Sequence, residues 1–182
     1  KEGLTNPASM EYLEEDVRRA FSNGDAAFAL NWTYMNALAN DPAESKIVGK
    51  VGIAPAPGAD GGAKVSAVNG SMGLGIPTNS THADEAWSFI KFITQASVQD
   101  QYAKQSLPIW KASMDVPEVT KGQEALVAAA KESFAAMSPR PLMASYTEVS
   151  DILQATVHSI LLGKAEIDPA LADAAARIDH IR

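Results

Sequence analysis

The chain has 182 residues, 46% hydrophobic and 20% charged, long enough for one ordinary domain with a real core and too apolar for a disordered segment. With 15 basic and 22 acidic residues the formal charge is −7, and no basic stripe exists, which argues against nucleic acid as a partner. Cysteine is absent, so disulfides, thiol catalysis and thiolate metal sites are excluded.

No apolar run approaches the roughly 18 residues of a membrane span. Lys1-Glu2-Gly3-Leu4 has neither the basic nor the apolar region of a signal peptide, and the chain opens without Met, so a processed or excised piece is expected. Residues 10–23 predict an amphipathic helix. Met10, Leu13, Val17, Ala20 and Phe21 follow the 3.6-residue period, Glu14, Glu15, Arg18 and Arg19 lie on the wet side, and Asn23-Gly24 supplies a left-handed stop. Residues 24–34 follow as a nearly continuous apolar run, Ala26-Ala27-Phe28-Ala29-Leu30, that ends in Asn31, Trp32 and Tyr34. This pattern predicts a strand buried on both faces of a parallel α/β sheet. Such sheets meet their ligands at the carboxyl ends of strands, where Trp32 and Tyr34 fall. Ligand stacking and plain core packing are equal readings of these two rings.

Residues 37–46 form a short helix or loop around Asp41-Pro42, residues 48–55 a second strand, and Gly58-Ala59-Asp60-Gly61-Gly62-Ala63 a flexible loop. Residues 64–77 are extended. Within them Asn69-Gly70-Ser71-Met72 is a small-residue turn with free amides, open to close approach by a ligand or another backbone. Residues 81–95 predict a helix with Thr81 and Asp84 as a capping box and Ala86, Phe89, Ile90 and Ile93 as its apolar stripe. Another helix runs from Ser97 to about Gln105, and Leu107-Pro108-Ile109-Trp110 breaks the pattern. Residues 118–137 are a further helix with Leu126, Ala130 and Phe134 inward. Ser138-Pro139-Arg140-Pro141 is an extended loop, since each proline disfavours helix before it. Residues 145–162 carry the strongest stripe: Val149, Ile152, Leu153, Thr156, Val157, Ile160 and Leu161. Gly163 stops that helix, and a last one over 169–181 uses Leu171, Ala175 and Ile178.

Little in the chain points to catalysis. His82, His158 and His180 are far apart, so no metal site is expected. Glu14-Glu15-Asp16 and Asp84-Glu85 read as solvated first-turn carboxylates. Gly73-Leu74-Gly75 lacks the third glycine of a dinucleotide fingerprint and runs into Pro77; nucleophile-elbow and P-loop motifs are missing, and no cofactor is expected. Asn31-Trp32-Thr33, Asn69-Gly70-Ser71 and Asn79-Ser80-Thr81 match the glycosylation acceptor pattern, which is frequent by chance. What remains is a set of rings and hydrogen-bond donors at element ends: Trp32, Tyr34, Asn69, Gly70, Ser71, Met72, Arg140 in its proline-flanked loop, and Tyr146 at the next helix start. These suit a neutral polyol, whose C–H face stacks on a ring while each buried hydroxyl needs a partner or costs about 1–3 kcal/mol. The planar fork of Arg140 can donate to two oxygens. A helix cap for Arg140 and a packing staple for Tyr146 are the alternatives.

The order of these pieces carries a resemblance. Ala20-Phe21-x-x-Gly24-Asp25-Ala26-Ala27-Phe28 resembles the F-x-x-G-x-A-A-M segment of bacterial extracellular solute-binding proteins of the maltose-binding type. Val51-Gly52-Ile53-Ala54-Pro55-Ala56-Pro57-Gly58 is similar to their v-a-P-l-P-g strand, and residues 69–77 to their G-G-x-x-l-g-I-p crossover. Glu85-Ala86-Trp87-Ser88-Phe89-Ile90-Lys91-Phe92-Ile93-Thr94 matches their A-w-e-F-i-k-f-l-t helix, and Ser138-Pro139-Arg140-Pro141 with Tyr146 is similar to members that bind trehalose and maltose.

The resemblance implies an α/β, type II periplasmic-binding-protein-like fold, of which this chain is the mostly helical C-terminal half. Residues 1–71 would be a second-lobe segment with hinge, 72–109 would cross to the first lobe, and 110–182 would add second-lobe helices. It implies a sugar receptor, for an α-glucoside disaccharide such as trehalose or maltose, that serves the membrane permease of an ABC importer and performs no chemistry. Trp32 and Tyr34 would stack on the sugar, Asn69, Gly70, Ser71 and Met72 would contact it near the hinge, Arg140 would bind hydroxyls and Tyr146 would close the cleft. A periplasmic or extracellular location follows, with lipid anchorage through a segment ahead of Lys1. The crossing helix would expose Trp87, Phe89, Phe92 and Ile93 unless an N-terminal lobe or another chain covers it. Two other functions stay open: a receptor for a glycerol phosphodiester, oligosaccharide or peptide-like solute, and a carbohydrate-active hydrolase. The hydrolase needs two carboxyls roughly 5–9.5 Å apart, and no pair stands out.

Overall fold

The computed structural model describes residues 3–59 and 64–181; Asp60-Gly61-Gly62-Ala63, part of the expected flexible loop, lies outside the described residues. The chain divides into two compact units, Leu13–Ser138, and Lys1–Tyr12 together with Pro139–Arg182.

The Leu13–Ser138 unit opens with α1 (Glu14–Asn23). The helix begins four residues later than the apolar period predicts, because Leu13 is extended and the Asp16 carboxylate accepts the Leu13 N–H at 3.1 Å. Met10 belongs instead to a separate 3-10 turn, Pro7–Glu11, in the other unit. Three carboxylates in the first turn of α1 favour its dipole, and Gly24, at φ +86°, ends it in the left-handed region that glycine adopts without strain.

The wet face of α1 is corrected by the structure. Arg18 is buried and Leu13 exposed. The Arg18 stem packs inward while Nε donates to Glu15 Oε2 at 2.8 Å and Nη1 to Glu44 Oε2 at 3.3 Å, so its charge is matched where it is buried. Periodicity scores arginine as polar and misses this. Replacing Arg18 by Ala is expected to lower stability by about 2 kcal/mol, less than the 3–5 typical of a fully buried pair because both carboxylates are half exposed. The exposed Arg19→Ala should stay within about 0.5 kcal/mol, and urea midpoints of the two variants check the difference.

The strand expected over 24–34 does not form. Residues 26–32 are extended or bent without a ladder, Phe28 is 93% exposed and Leu30 80%. A strand needs neighbours to take its N–H and C=O groups, and none of the described segments pairs with this run in a ladder. Residues 48–55 likewise stay outside any ladder, against the second strand expected there. Among the described residues the only sheet is a short parallel pair, β1 (Ala67–Val68) with β2 (Met137–Ser138), in register Ala67 with Met137. The Asn69 N–H extends it by donating to the Ser138 carbonyl at 2.9 Å. An isolated antiparallel bridge joins Pro57 and Val65.

Helices fill the rest of this unit: α2 (Met35–Ala39), α3 (Ala83–Ile93), α4 (Ala96–Gln99), α5 (Pro117–Thr120) and α6 (Glu124–Ala136). The expected capping box of α3 is absent, since the helix starts after His82, whose N–H donates to the Ser80 hydroxyl oxygen instead. The helix expected from Ser97 to Gln105 shortens to α4 and a 3-10 turn, Asp100–Tyr102. The single helix expected over 118–137 is two, split at Gly122, whose φ of +80° no α-helix contains. Leu126 and Ala130 of α6 are buried as expected, alongside Met35, Ala39 and Met114, but Phe134 is exposed.

In the other unit, α7 (Tyr146–Leu161) packs on α8 (Ile167–Asp179) across the turn at Gly163. Val149, Ile152 and Thr156 face inward with Ala174. Leu153, Val157, Leu161 and Leu171, expected on the same stripes, are exposed. Within the described residues no helix is long and apolar enough to cross a membrane.

Candidate ligand-binding site

A backbone carbonyl and a side chain of the first turn of α1 hold the segment that carries the candidate rings. Asn31 Nδ2 donates to the Glu14 carbonyl at 3.0 Å, while Asn31 Oδ1 accepts the Trp32 N–H at 2.7 Å. The Trp32 carbonyl then accepts the Met35 N–H at 3.2 Å, turning the chain into α2. Tyr34, the last residue before α2, donates its phenol to Glu15 Oε1 at 2.6 Å.

Trp32 is brought to Gly70. A Cβ on Gly70 would lie 2.3 Å from Trp32 Cη2 and 2.6 Å from Cζ3, so the indole rests where only glycine leaves room. About half of Trp32 is open, at 48% exposure. Beside it, Asn69 Oδ1 accepts the Ser71 N–H at 3.0 Å, a side-chain-closed turn at the end of β1. Met72 follows, fully exposed. Thus Trp32, Gly70, Asn69 and Ser71 form one neighbourhood at the carboxyl end of a parallel strand. Arg140, exposed in the loop after β2, and the half-buried Tyr146, which opens α7, belong to the other unit. A groove between α7 and α8, lined by Glu148, Asp151, Ile152, Arg177 and His180, holds none of the ligand contacts expected from the sequence.

Charge follows the geometry. The Tyr34 hydrogen bond, then the Arg18 hydrogen bond, holds the Glu15 carboxyl below its ordinary value. The same bond to Glu15, then burial, raises the Tyr34 phenol above its own. Glu15 and Asn31 are the site residues that sequence reasoning missed. Glu15 was indistinguishable from its solvated neighbours Glu14 and Asp16, and only the 19-residue separation from Tyr34, closed by folding, gives it a role.

The model for the bacterial extracellular solute-binding protein family matches residues 1–100, more than half of the chain. The chain belongs to this family. A solute-binding relative from Deinococcus radiodurans, named as a probable ABC transporter-binding protein, is 29% identical over 99% of this chain and 44% of its own. Among solved structures, maltose-bound T. maritima MalE3 superposes with a TM-score of 0.87 at 33% identity, covering 98% of this chain and 46% of that one. A solute-binding protein of an ABC transporter from Agrobacterium radiobacter K84, in complex with ribitol, gives 0.80 at 26% identity, covering 97% and 45%. The fold is therefore that of the type II periplasmic binding proteins, and the family and these neighbours are binding proteins. The chain spans less than half the length of each relative named.

Proposed function

We propose that this chain is the C-terminal part of a carbohydrate receptor that delivers its ligand to the permease of an ABC importer, outside the cytoplasmic membrane. The observation that carries the reading is the half-open Trp32 indole seated on Gly70, next to the Asn69–Ser71 turn. A flat apolar face beside fixed polar groups matches the amphipathic surface of a sugar. The maltose in one structural neighbour supports an α-glucoside such as maltose or trehalose. Tyr34 would join Trp32 in stacking, Gly70, Ser71 and Met72 would line the hinge side, and Arg140 and Tyr146 would close on the ligand. In the whole receptor we assign residues 72–109 to the first lobe and 1–71 with 110–182 to the second.

The ribitol in the other neighbour favours a second reading, a linear polyol. A glycerol phosphodiester fits less well, because Arg18 is already matched by Glu15 and Glu44, which leaves Arg140 as the one cation among the contacts proposed here. With only part of a cleft, the chain alone is expected to bind maltose at about 1 mM or weaker, about −4 kcal/mol. Ligand-observed NMR titration with maltose, trehalose and ribitol checks this. Micromolar binding by the chain alone would contradict the shared cleft, and preference for ribitol would move the ligand to the polyol class.

A further inference from the structure

We infer that Glu15 is a positioning residue for the ligand site: seated on the buried guanidinium of Arg18, it fixes the Tyr34 ring and turns the phenol oxygen into an acceptor for a ligand hydroxyl. This rests on the receptor reading above, since it takes Tyr34 as a ligand contact.

The two oxygens of Glu15 are divided between two donors. Oε2 takes Arg18 Nε at 2.8 Å and Oε1 takes the Tyr34 hydroxyl at 2.6 Å. Arg18 has little freedom to move, because its side chain is 7% exposed and Nη1 reaches Glu44 Oε2 at 3.3 Å. A chain of polar contacts thus runs Glu44–Arg18–Glu15–Tyr34 through a buried cation, and ends two residues after Trp32 in sequence. Holding a phenol at its oxygen limits the rotamers of the ring, so less ordering is left to be done when a ligand arrives.

The polarity of this chain has a chemical consequence. A phenol has one proton, and here the carboxylate takes it. What Tyr34 offers a ligand is lone-pair density, strengthened by the charge-assisted bond behind it. Its partner must therefore be a donor, as every sugar hydroxyl can be and a phosphate or carboxylate oxygen is not. The raised phenol and lowered carboxyl agree with the same polarity.

Glu15→Gln tests this with little change of size. Its single oxygen is claimed by Arg18, so the amide N–H₂ turns to Tyr34 and the polarity reverses. Two readouts are taken on the chain, with circular dichroism to confirm folding. The first is the tyrosinate absorbance titration, with the Tyr34 component isolated by subtracting the Tyr34→Phe variant. In Glu15→Gln the Tyr34 midpoint is expected to fall, and an unmoved midpoint would overturn the coupling. The second is maltose affinity by NMR titration. Glu15→Gln should weaken it roughly threefold to tenfold, and add nothing on the Tyr34→Phe background. An equal loss on both backgrounds would overturn the positioning role, because Glu15 would then act without Tyr34. Where maltose binds the unaltered chain too weakly to titrate, as part of a cleft allows, the affinity readout is taken in a receptor of full family length that carries this chain; absence of binding there would overturn the receptor reading, and the absorbance titration by itself supports or overturns the link between Glu15 and Tyr34.

Discussion

Replacing Trp32 by Ala is expected to weaken sugar binding by about thirtyfold, or about 2 kcal/mol, in a receptor of full family length that carries this chain. The indole is the largest rigid apolar surface in the site, and half of it is open to a ligand. Gly70→Ala should cost roughly tenfold through the same ring, by displacing the indole rather than by removing a ligand contact. Its Cβ would stand 2.3 Å and 2.6 Å from two indole carbons, so the ring must tilt off its seat. Strain in the backbone does not enter, since φ at Gly70 is not positive and alanine can adopt the same conformation. Gly73, three residues on, provides the comparison: a Cβ there meets nothing within 4 Å, and Gly73→Ala should leave affinity unchanged. Calorimetry on the three variants separates the possibilities. Equal losses for Gly70→Ala and Gly73→Ala would mean that loop flexibility, rather than the indole's seat, controls binding, and full affinity in Trp32→Ala would remove the ring from the site.

How much of this was legible in the sequence depends on whether a feature is local. The helices α3, α7 and α8 were visible because an amphipathic stripe is written into neighbouring residues, and their bounds shifted by only a few positions. The glycine stops at Gly24 and Gly163 were equally legible, since a left-handed φ restricts residue choice at one position. Strands failed for the opposite reason. Ala26-Ala27-Phe28-Ala29-Leu30 has the composition of a buried strand, but a strand exists only through partners, and among the described residues none pairs with it. The exposed Phe28 and Leu30 show a segment whose sequence suits burial that the described residues do not provide. At the site, the ring pair and the Asn69–Met72 turn were found because aromatic and glycine residues stand out by type. The contact between Trp32 and Gly70 was not, because 38 positions separate them, and neither was the carboxylate that orients Tyr34, which looks in sequence like any first-turn glutamate. The family motifs supplied the order of the pieces; the distances came from the fold.

The same mismatch between composition and burial is greatest at α3, and it sets the second expectation. This helix has no buried residue, yet Trp87, Phe89 and Phe92 are 52%, 59% and 57% exposed. At about 100° per residue, Ala86, Ile90 and Ile93 form one side, and these are half-buried. Trp87 lies on one flank of that side and Phe89 and Phe92 on the other. A helix apolar over more than half its circumference belongs between two layers rather than on a surface. Lys91 Nζ, 5.9 Å from the centre of the Trp87 ring, shelters only part of it. Since the chain spans under half the length of its relatives, we propose that the remainder of a full-length receptor covers the far side. Burying the open half of each phenylalanine would remove about 100 Å² of apolar surface from water, worth roughly 2.5 kcal/mol at 25 cal/mol per Å². Phe89→Ser and Phe92→Ser should therefore shift the stability of this chain alone by about 0.5 kcal/mol or less and reduce its binding of an apolar dye. In the full-length receptor each should cost about 2 kcal/mol or more, with a matching fall in urea midpoint. A full-length receptor that tolerates both substitutions as easily as this chain does would leave α3 uncovered there, and the aromatic flanks would then have to serve a separate partner.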